Sequence, residues 1–178
     1  MNFYTIEKIE KQLREIRETI HREVRGIGGF KIFEGECPGA QSMEFDDRSW
    51  ENFELGSSWG GYDKVAWFRA CVGIPAGWEN QKLAVRFLVG PRDGGSSTAE
   101  TLLFVNGEPL QGIDIWHEDA WLPPEMIRTG KAFLALKSWS GILNPPEMRR
   151  FKVAELIWID EAAERFYHKG LAVVSAVK

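Results

Sequence analysis

The first part of the chain carries an apolar stripe at helical spacing. Aliphatic side chains recur every three or four residues, at Ile6, Ile9, Leu13, Ile16, Ile20 and Val24. This spacing puts all six on one side of an α-helix, so the pattern predicts a helix over residues 5–25. Glycines at positions 26, 28 and 29 are expected to end it and to form a linker through residue 29.

From residue 30 the apolar period becomes two. In residues 65–74 every even-numbered position is apolar, which predicts a strand that covers a core with one face. The same apolar run contains Cys71, whose thiol is expected to be buried. Further strands are predicted over residues 82–89, 101–105, 131–137 and 151–159, with a tight turn at Asn106-Gly107.

These patterns predict a mainly β protein. Because no helical pattern separates the strands, residues 30–160 are expected to form an antiparallel β-sandwich domain rather than a parallel α/β sheet. Residues 161–178 begin as a second helix, and that helix has no cap or breaker before the last residue. Trp67 and Trp158 lie in apolar runs and are expected in the core.

Composition narrows the class of protein. The 178 residues are 44% hydrophobic and 27% charged, which is typical of one globular domain. The net charge is −4, and no run of Lys and Arg provides a nucleic-acid surface. The sequence has neither a signal-peptide pattern nor an apolar stretch long enough to span a membrane. With only Cys37 and Cys71, we expect free thiols and a cytoplasmic location.

Catalytic motifs are missing from the sequence. There is no HxH, HExxH or GxSxG pattern, so we assign no catalytic residue and no metal ligand. The most promising polar segment holds Asp114, Trp116 and His117, where an indole that could stack on a sugar ring lies beside hydrogen-bonding groups. The alternative is a solvated loop without a ligand.

Several apolar side chains are candidates for a domain or subunit interface. Trp59 and Trp139 fall in predicted loops or strand edges, where they could pack against a neighbouring domain or stack on a sugar. The seam of the first helix, with Leu13, Ile16 and Ile20, must be covered either by the sandwich or by a second chain. We expect this helix to contribute to a homo-oligomer.

An ordered series of motifs resembles a known family. Residues 66–90 read AWFRACVGIPAGWENQKLAVRFLVG, and residues 99–114 read AETLLFVNGEPLQGID. The series continues with Leu-Pro-Pro at 122–124, Trp-Ser-Gly at 139–141 and FKVAEL at 151–156. Over residues 30–165 it resembles the N-terminal domain of α-mannosidases of glycoside hydrolase family 38, of the cytosolic and bacterial type.

The resemblance implies a galactose-binding-like jelly-roll sandwich that precedes a metal-dependent, retaining catalytic domain. It implies a non-catalytic accessory domain that supports the parent enzyme's catalytic domain and its assembly, while the parent cleaves α-mannosidic bonds. Residues 161–178 would then lead into that missing catalytic domain. Zinc or another divalent metal would belong to the missing domain, and we expect no cofactor in this part. A carbohydrate-binding module and an accessory sandwich of another glycosidase are the alternatives.

Overall fold

The computed structural model describes residues 5–90, 99–143 and 146–177. Within these residues the chain forms three helices and twelve strands. The helices are α1 (Thr5–Thr19), α2 (Pro124–Ile127) and α3 (Glu161–Ala176). The strands are β1 (His21–Gly26), β2 (Phe30–Glu34), β3 (Glu51–Phe53), β4 (Ser58–Gly60), β5 (Val65–Gly73), β6 (Leu83–Leu88), β7 (Glu100–Val105), β8 (Glu108–Ile113), β9 (Asp119–Leu122), β10 (Lys131–Trp139), β11 (Met148–Arg150) and β12 (Val153–Ile159).

Two antiparallel sheets form the body of the protein. One has four strands in the order β1-β12-β6-β9, and the other has six in the order β3-β2-β5-β10-β7-β8. A small ribbon pairs β11 with β4. The main core consists of apolar side chains between the two sheets, among them Phe68, Leu103 and Phe151. The predicted mainly β antiparallel sandwich with a helix at each end is therefore confirmed.

The predicted first helix is too long. α1 ends at Thr19, whose hydroxyl donates a hydrogen bond to the carbonyl of Ile16 at 2.8 Å. Residues 21–26 then form β1, which pairs with β12. Ile20 and Val24 continue the helical spacing of the stripe, but backbone pairing with a distant strand decides the structure there. Val24 is consequently exposed.

α3 covers part of the outer face of the four-stranded sheet, and α1 packs against α3. Ile20 packs there with Ala84, Ile157 and Ile159, and Ala163 and Tyr167 of α3 close this second apolar cluster. Asp160 caps α3 by accepting hydrogen bonds from the backbone N–H groups of residues 162 and 163, both at 3.0 Å.

The segment at residues 37–50 covers part of the outer face of the six-stranded sheet. Arg69 projects from β5 into this segment, where it donates hydrogen bonds to the carbonyls of Ala40 and Ser42 and to the carboxylate of Asp47. Trp67, also on β5, is buried beneath the same segment. β5 is therefore buried on both faces near its centre, whereas its sequence pattern predicts one buried face.

Two expectations about single residues have opposite outcomes. The turn at Asn106-Gly107 joins β7 to β8, and both residues have positive φ angles, 52° and 91°, as the predicted tight turn requires. The prediction of a buried Cys71 is wrong, because its side chain lies on the outer face of β5 beyond the cover and is exposed. Trp67 is buried as expected, and Trp158 is half-buried against the main core.

Candidate functional site

A cleft opens between the outer face of the four-stranded sheet, α3 and the loop from β8 to β9. Its volume is about 870 Å³. We call it the helix–loop cleft and define it by Arg86, Trp116, His117, Trp121, Tyr167 and His168. His21 also lines it, so all three histidines of the chain meet here.

The loop wall of the cleft is held in shape by Asp114. One carboxylate oxygen, Oδ1, accepts hydrogen bonds from the backbone N–H groups of Trp116 at 2.7 Å and His117 at 2.9 Å. The same oxygen lies 2.9 Å from Nδ1 of His117. Since a carboxylate only accepts, Nδ1 carries a proton, and in the neutral imidazole Nε2 is then the acceptor. The hydrogen bond from the Trp116 backbone is the main reason that the pKa of Asp114 lies below its ordinary value.

An ion pair forms part of the floor of the cleft. Nε and Nη2 of Arg86 donate to the two carboxylate oxygens of Asp119 at 2.6 and 2.8 Å. Nε2 of His21 lies 3.5 Å from Nη2 of Arg86 and 3.8 Å from Oδ2 of Asp119. Burial, and then the positive charge of Arg86, lower the pKa of His21, although Asp119 acts in the opposite direction. His21 is therefore uncharged at neutral pH, and the Arg86–Asp119 pair is balanced without it.

Trp121 lies on β9, the edge strand of the four-stranded sheet. Nζ of Lys82 sits 3.6 Å from the centroid of its ring, and Oε2 of Glu164 on α3 holds that ammonium at 2.5 Å. A cation over an aromatic face is attractive, so this contact fixes the ring. Even with Lys82 over one face, Trp121 remains 56% exposed.

The three residues predicted to bind carbohydrate lie together on the loop from β8 to β9, but only two of them line the helix–loop cleft. Trp116 and His117 line the helix–loop cleft, and Trp116 is 82% exposed. Asp114 does not line this cleft, because its carboxylate is turned into the loop. Its role is to position the other two. That these residues bind a saccharide remains a prediction.

Three of the predicted interface residues are buried inside the single chain. Trp59 is fully buried in the main core, where its Nε1 donates to the carbonyl of Val89 at 2.8 Å, so it is not available to a partner. Leu13 and Ile20 are buried within the same chain. α1 and α3 approach so closely that a Cβ on Gly170 of α3 would lie 2.5 Å from Cδ2 of Leu13.

Ile16 and Trp139 are half-buried, and their interface role remains a prediction. Nε1 of Trp139 donates to Asp63 at 2.9 Å. Trp139 also lines a smaller recess of about 400 Å³ on the outer face of the six-stranded sheet, together with Leu102, Lys137 and Ser138. The hydroxyl oxygen of Ser138 accepts a hydrogen bond from the hydroxyl of Thr101 at 2.8 Å.

The cleft contains groups that the sequence did not bring together. Tyr167 and His168 come from the tail, and His21 comes from the end of the wrongly extended helix. Their own sequence neighbourhoods gave no sign of a site. The aromatic pair in the tail is a weak signal that becomes meaningful only when α3 is placed against the sheet.

A different face of α3 presents apolar side chains to the surface. Phe166, Val173 and Val177 are exposed, and we call them the outer stripe. At 100° per residue, Phe166 and Val173 lie about 100–180° around the helix from the residues of α3 that line the cleft, which include Glu164 and Leu171. The outer stripe and the cleft are therefore separate surfaces.

Some features are missing from the described part of the chain. Residues 5–90, 99–143 and 146–177 contain no group of three or more His, Cys, Asp or Glu side chains that could hold a metal ion. Over the same residues, no helix combines the length and apolarity needed to cross a membrane. Cys37 and Cys71 are free thiols.

A family model provides the most direct comparison with known proteins. The model is described as alpha-mannosidase, jelly roll domain, and it matches residues 34–139, which is more than half of the chain. The matched range begins at the end of β2 and runs through β10. No protein of curated function matches the sequence significantly.

Solved structures with the same fold are parts of much larger glycosidases. A calcium-binding mutant of Bacteroides uniformis beta-glucuronidase 2 aligns with a TM-score of 0.60 and 16% identity over 76% of this chain and 18% of its own. A glycosyl hydrolase family 2 member from Bacteroides cellulosilyticus aligns with a TM-score of 0.57 and 13% identity over 76% of this chain and 20% of its own. The present chain thus spans about a fifth of their length, and at these identities the likeness concerns the fold alone.

Proposed function

Because the chain belongs to the family of α-mannosidase jelly-roll domains, we propose that it is the N-terminal, non-catalytic accessory domain of a larger, cytoplasmic α-mannosidase. The match over residues 34–139 is the observation that carries this proposal. The parent enzyme would hydrolyse α-mannosidic bonds in oligosaccharides, and this domain would support the catalytic domain and the assembly of the enzyme.

The outer stripe supports a role in domain contact. Phe166 and Val173 are apolar side chains that are exposed to solvent. Exposing apolar surface to water is unfavourable. A set of exposed apolar side chains on one helix face is typical of a surface that packs against another protein part. We assign this face to the enzyme's own catalytic domain.

The described residues offer no site for the metal implied for such an enzyme. Within the described residues no set of His, Cys, Asp or Glu side chains is arranged to ligate an ion. Zinc or another divalent metal would therefore belong to the catalytic domain, and no step of the reaction is derived from residues of the sandwich.

An accessory sandwich of another glycosidase is the second candidate. The observation in its favour is that the structures sharing this fold include a beta-glucuronidase and a glycosyl hydrolase family 2 member. Substrate preference of the parent enzyme separates the two candidates, because the fold is common to both.

Hydrolysis assays test the proposal directly. The 178-residue chain should not hydrolyse an aryl α-mannoside, with or without added zinc or cobalt, whereas the full-length gene product should hydrolyse it. Activity of the full-length product on an aryl β-glucuronide, with none on the α-mannoside, would favour the second candidate. Turnover by the chain alone that survives repurification would contradict the non-catalytic role.

The contact through the outer stripe has its own test. The double variant Phe166→Ser/Val173→Ser should leave the Tm of the isolated chain unchanged, because both side chains are exposed. In the full-length enzyme it should lower the Tm and increase the rate of limited proteolysis next to α3. Tyr62→Ser, at another exposed aromatic position, is the control. Equal behaviour of the two variants in the full-length enzyme would rule out this contact.

A further inference from the structure

We propose that the helix–loop cleft is a binding site for a neutral saccharide of more than one ring. The inference rests on the proposed function only in the choice of an α-mannoside as the probe. The rest follows from the rings, charges and polar groups that line the cleft.

The two indoles of the cleft are exposed, and the structure holds the backbone of Trp116 and the ring of Trp121 in place. Trp116 is 82% exposed, yet the loop that carries it is tied by hydrogen bonds to Asp114. Trp121 is 56% exposed, yet Lys82 and Glu164 fix its ring. A ring that is fixed before a ligand arrives, as that of Trp121 is, loses little side-chain entropy on binding, which suits weak stacking contacts with the C–H face of a sugar.

The charges of the cleft argue against an ionic ligand. Arg86 and Asp119 neutralise each other through two hydrogen bonds, and Glu164 is paired with Lys82. The remaining charged groups of the lining, Arg17 and Glu118, have opposite signs. The cleft therefore has no excess positive charge to bind a phosphate and no excess negative charge to bind a cation. A neutral polyol needs neither.

Neutral polar groups complete the chemistry that hydroxyl groups need. In the neutral imidazole of His117, Nε2 is an acceptor, because the Nδ1 proton is directed at Asp114. Tyr167 and Gln111, which carry a phenol and a carboxamide, belong to the same lining. The cleft thus combines apolar ring faces with uncharged donors and acceptors. A sugar ring is complementary to this combination, because it has apolar C–H faces and hydroxyl groups around its edge.

The size of the cleft points to more than one sugar ring. Ligand pockets range from about 300 to 1,000 Å³, and the volume of about 870 Å³ lies near the upper end of that range. Trp116 on the loop and Trp121 on the edge strand offer two separate stacking positions. We therefore assign the cleft to an oligosaccharide segment rather than to a monosaccharide.

Titration of the 178-residue chain with α-mannobiose tests the inference. Backbone amide and indole N–H signals are followed up to about 20 mM sugar, above the millimolar Kd expected for a shallow site. Shifts should concentrate at Trp116, His117 and Trp121, while inorganic phosphate at the same concentration should produce none there. Absence of shifts with the sugar, shifts confined to another surface, or shifts at the cleft with phosphate alone would each overturn the proposal.

Variants separate ligand contact from loop positioning. Trp121→Ala and Trp116→Ala should each weaken binding at least tenfold, whereas Tyr62→Ala, at an exposed aromatic outside the cleft, should leave it unchanged. Asp114→Asn keeps an oxygen that can accept the two backbone hydrogen bonds and should bind nearly as well as the original chain, but Asp114→Ala should not. Equal loss with Asn and Ala would contradict the positioning role.

The test of saccharide binding is independent of the parent enzyme's activity. Binding by the chain and hydrolysis by the full-length product are separate measurements. A full-length product that cleaves α-mannosides while the chain binds no sugar defeats only the cleft proposal. A chain that binds the sugar while the full-length product cleaves no α-mannoside defeats only the proposed function.

Discussion

Two Arg–Asp pairs around the segment at residues 37–50 differ mainly in burial. Nε of Arg69 donates to Asp47 at 2.9 Å, and the Arg69 side chain is 1% exposed. Nε of Arg48 donates to Asp46 at 2.8 Å, but its side chain is 88% exposed. Replacing each arginine by methionine keeps a long side chain and removes the charge. The two variants together therefore measure how much burial increases the contribution of an Arg–Asp pair to the free energy of unfolding.

The buried replacement should be strongly destabilising. Arg69→Met leaves the carbonyls of Ala40, Ser42 and Phe45 without their donor and removes one partner of Asp47. Breaking a buried pair from one side costs about 3–5 kcal/mol. For a domain of this size, each kcal/mol corresponds to roughly 2–4 °C, so a fall in Tm of roughly 10 °C is expected. Arg48→Met should not change the Tm measurably, since an exposed pair contributes little.

The effect of Arg69→Met should depend on pH. Burial alone would raise the pKa of Asp47, but hydrogen bonds from Arg69 and then Lys31 outweigh it, and the pKa lies below its ordinary value. A depressed carboxyl pKa stabilises the fold above the unfolded-state pKa, which is about 3.9, and that stabilisation is lost as the pH falls through the folded-state pKa. The difference in free energy of unfolding between the original chain and Arg69→Met should thus be largest at neutral pH and smaller below about pH 4.

Urea unfolding followed by tryptophan fluorescence gives the free energies, and hydrogen exchange shows where the change occurs. Exchange should quicken in residues 37–50 first, because those are the residues that Arg69 ties to the sheet. A Tm for Arg69→Met within 2 °C of that for Arg48→Met, less than about 1 kcal/mol for a chain of this size, would refute the reasoning.

Two further predictions concern the helical layer. Leu13→Ala should lower the free energy of unfolding by about 2–5 kcal/mol, because Leu13 packs against Gly170 of the same chain. The mass measured by sedimentation should not change. A fall in oligomeric mass at unchanged stability would show instead that α1 joins two chains. Because burial lowers the pKa of His21, the unfolded state binds its proton more readily, so stability should decline as the pH falls below the unfolded-state value of 6.5. Thermal unfolding of His21→Gln between about pH 5 and 8 should show a smaller decline than the original chain, and an equal decline would contradict this role of His21.

Local pattern was sufficient for the strands that build the core. β5, β6, β7, β10 and β12 all fall where the period-two runs predict them, because alternation follows directly from one face packing on a core. The turn between β7 and β8 was equally predictable, since Asn106 and Gly107 are the residues that tolerate positive φ.

Long-range pairing decided the elements that the sequence did not predict. The region around Trp59 reads as a loop because serines and glycines surround it. In the structure it is β4, paired with β11 about 90 residues further along, and this pairing buries the indole. β1 was missed for the same reason, because its partner β12 lies far along the chain while its own spacing still fits a helix.

The candidate site was predictable only in the part that one loop carries. Trp116 and His117 are neighbours in sequence, so an aromatic group beside a polar one could be recognised directly. Trp121 needs the pairing of β9 with β6 to reach the same cleft, and Tyr167 needs the docking of α3. Asp114 was correctly grouped with the loop, but its hydrogen bonds make it a support for that loop rather than part of the cleft.

α3 shows why the remainder of the site could not be read from the sequence. The helix has apolar side chains all around it, so its sequence does not reveal which face is buried. Packing against α1 and the sheet makes that choice, because Gly170 is the position where α1 comes close enough to exclude a Cβ. Once Gly170 and Val174 face inward, the 100° step of the helix places Leu171 about 80° to one side, toward the cleft, and Phe166 and Val173 about 60–80° to the other side, where both are exposed. A single close contact between two helices thereby places one wall of the cleft and the outer stripe at the same time.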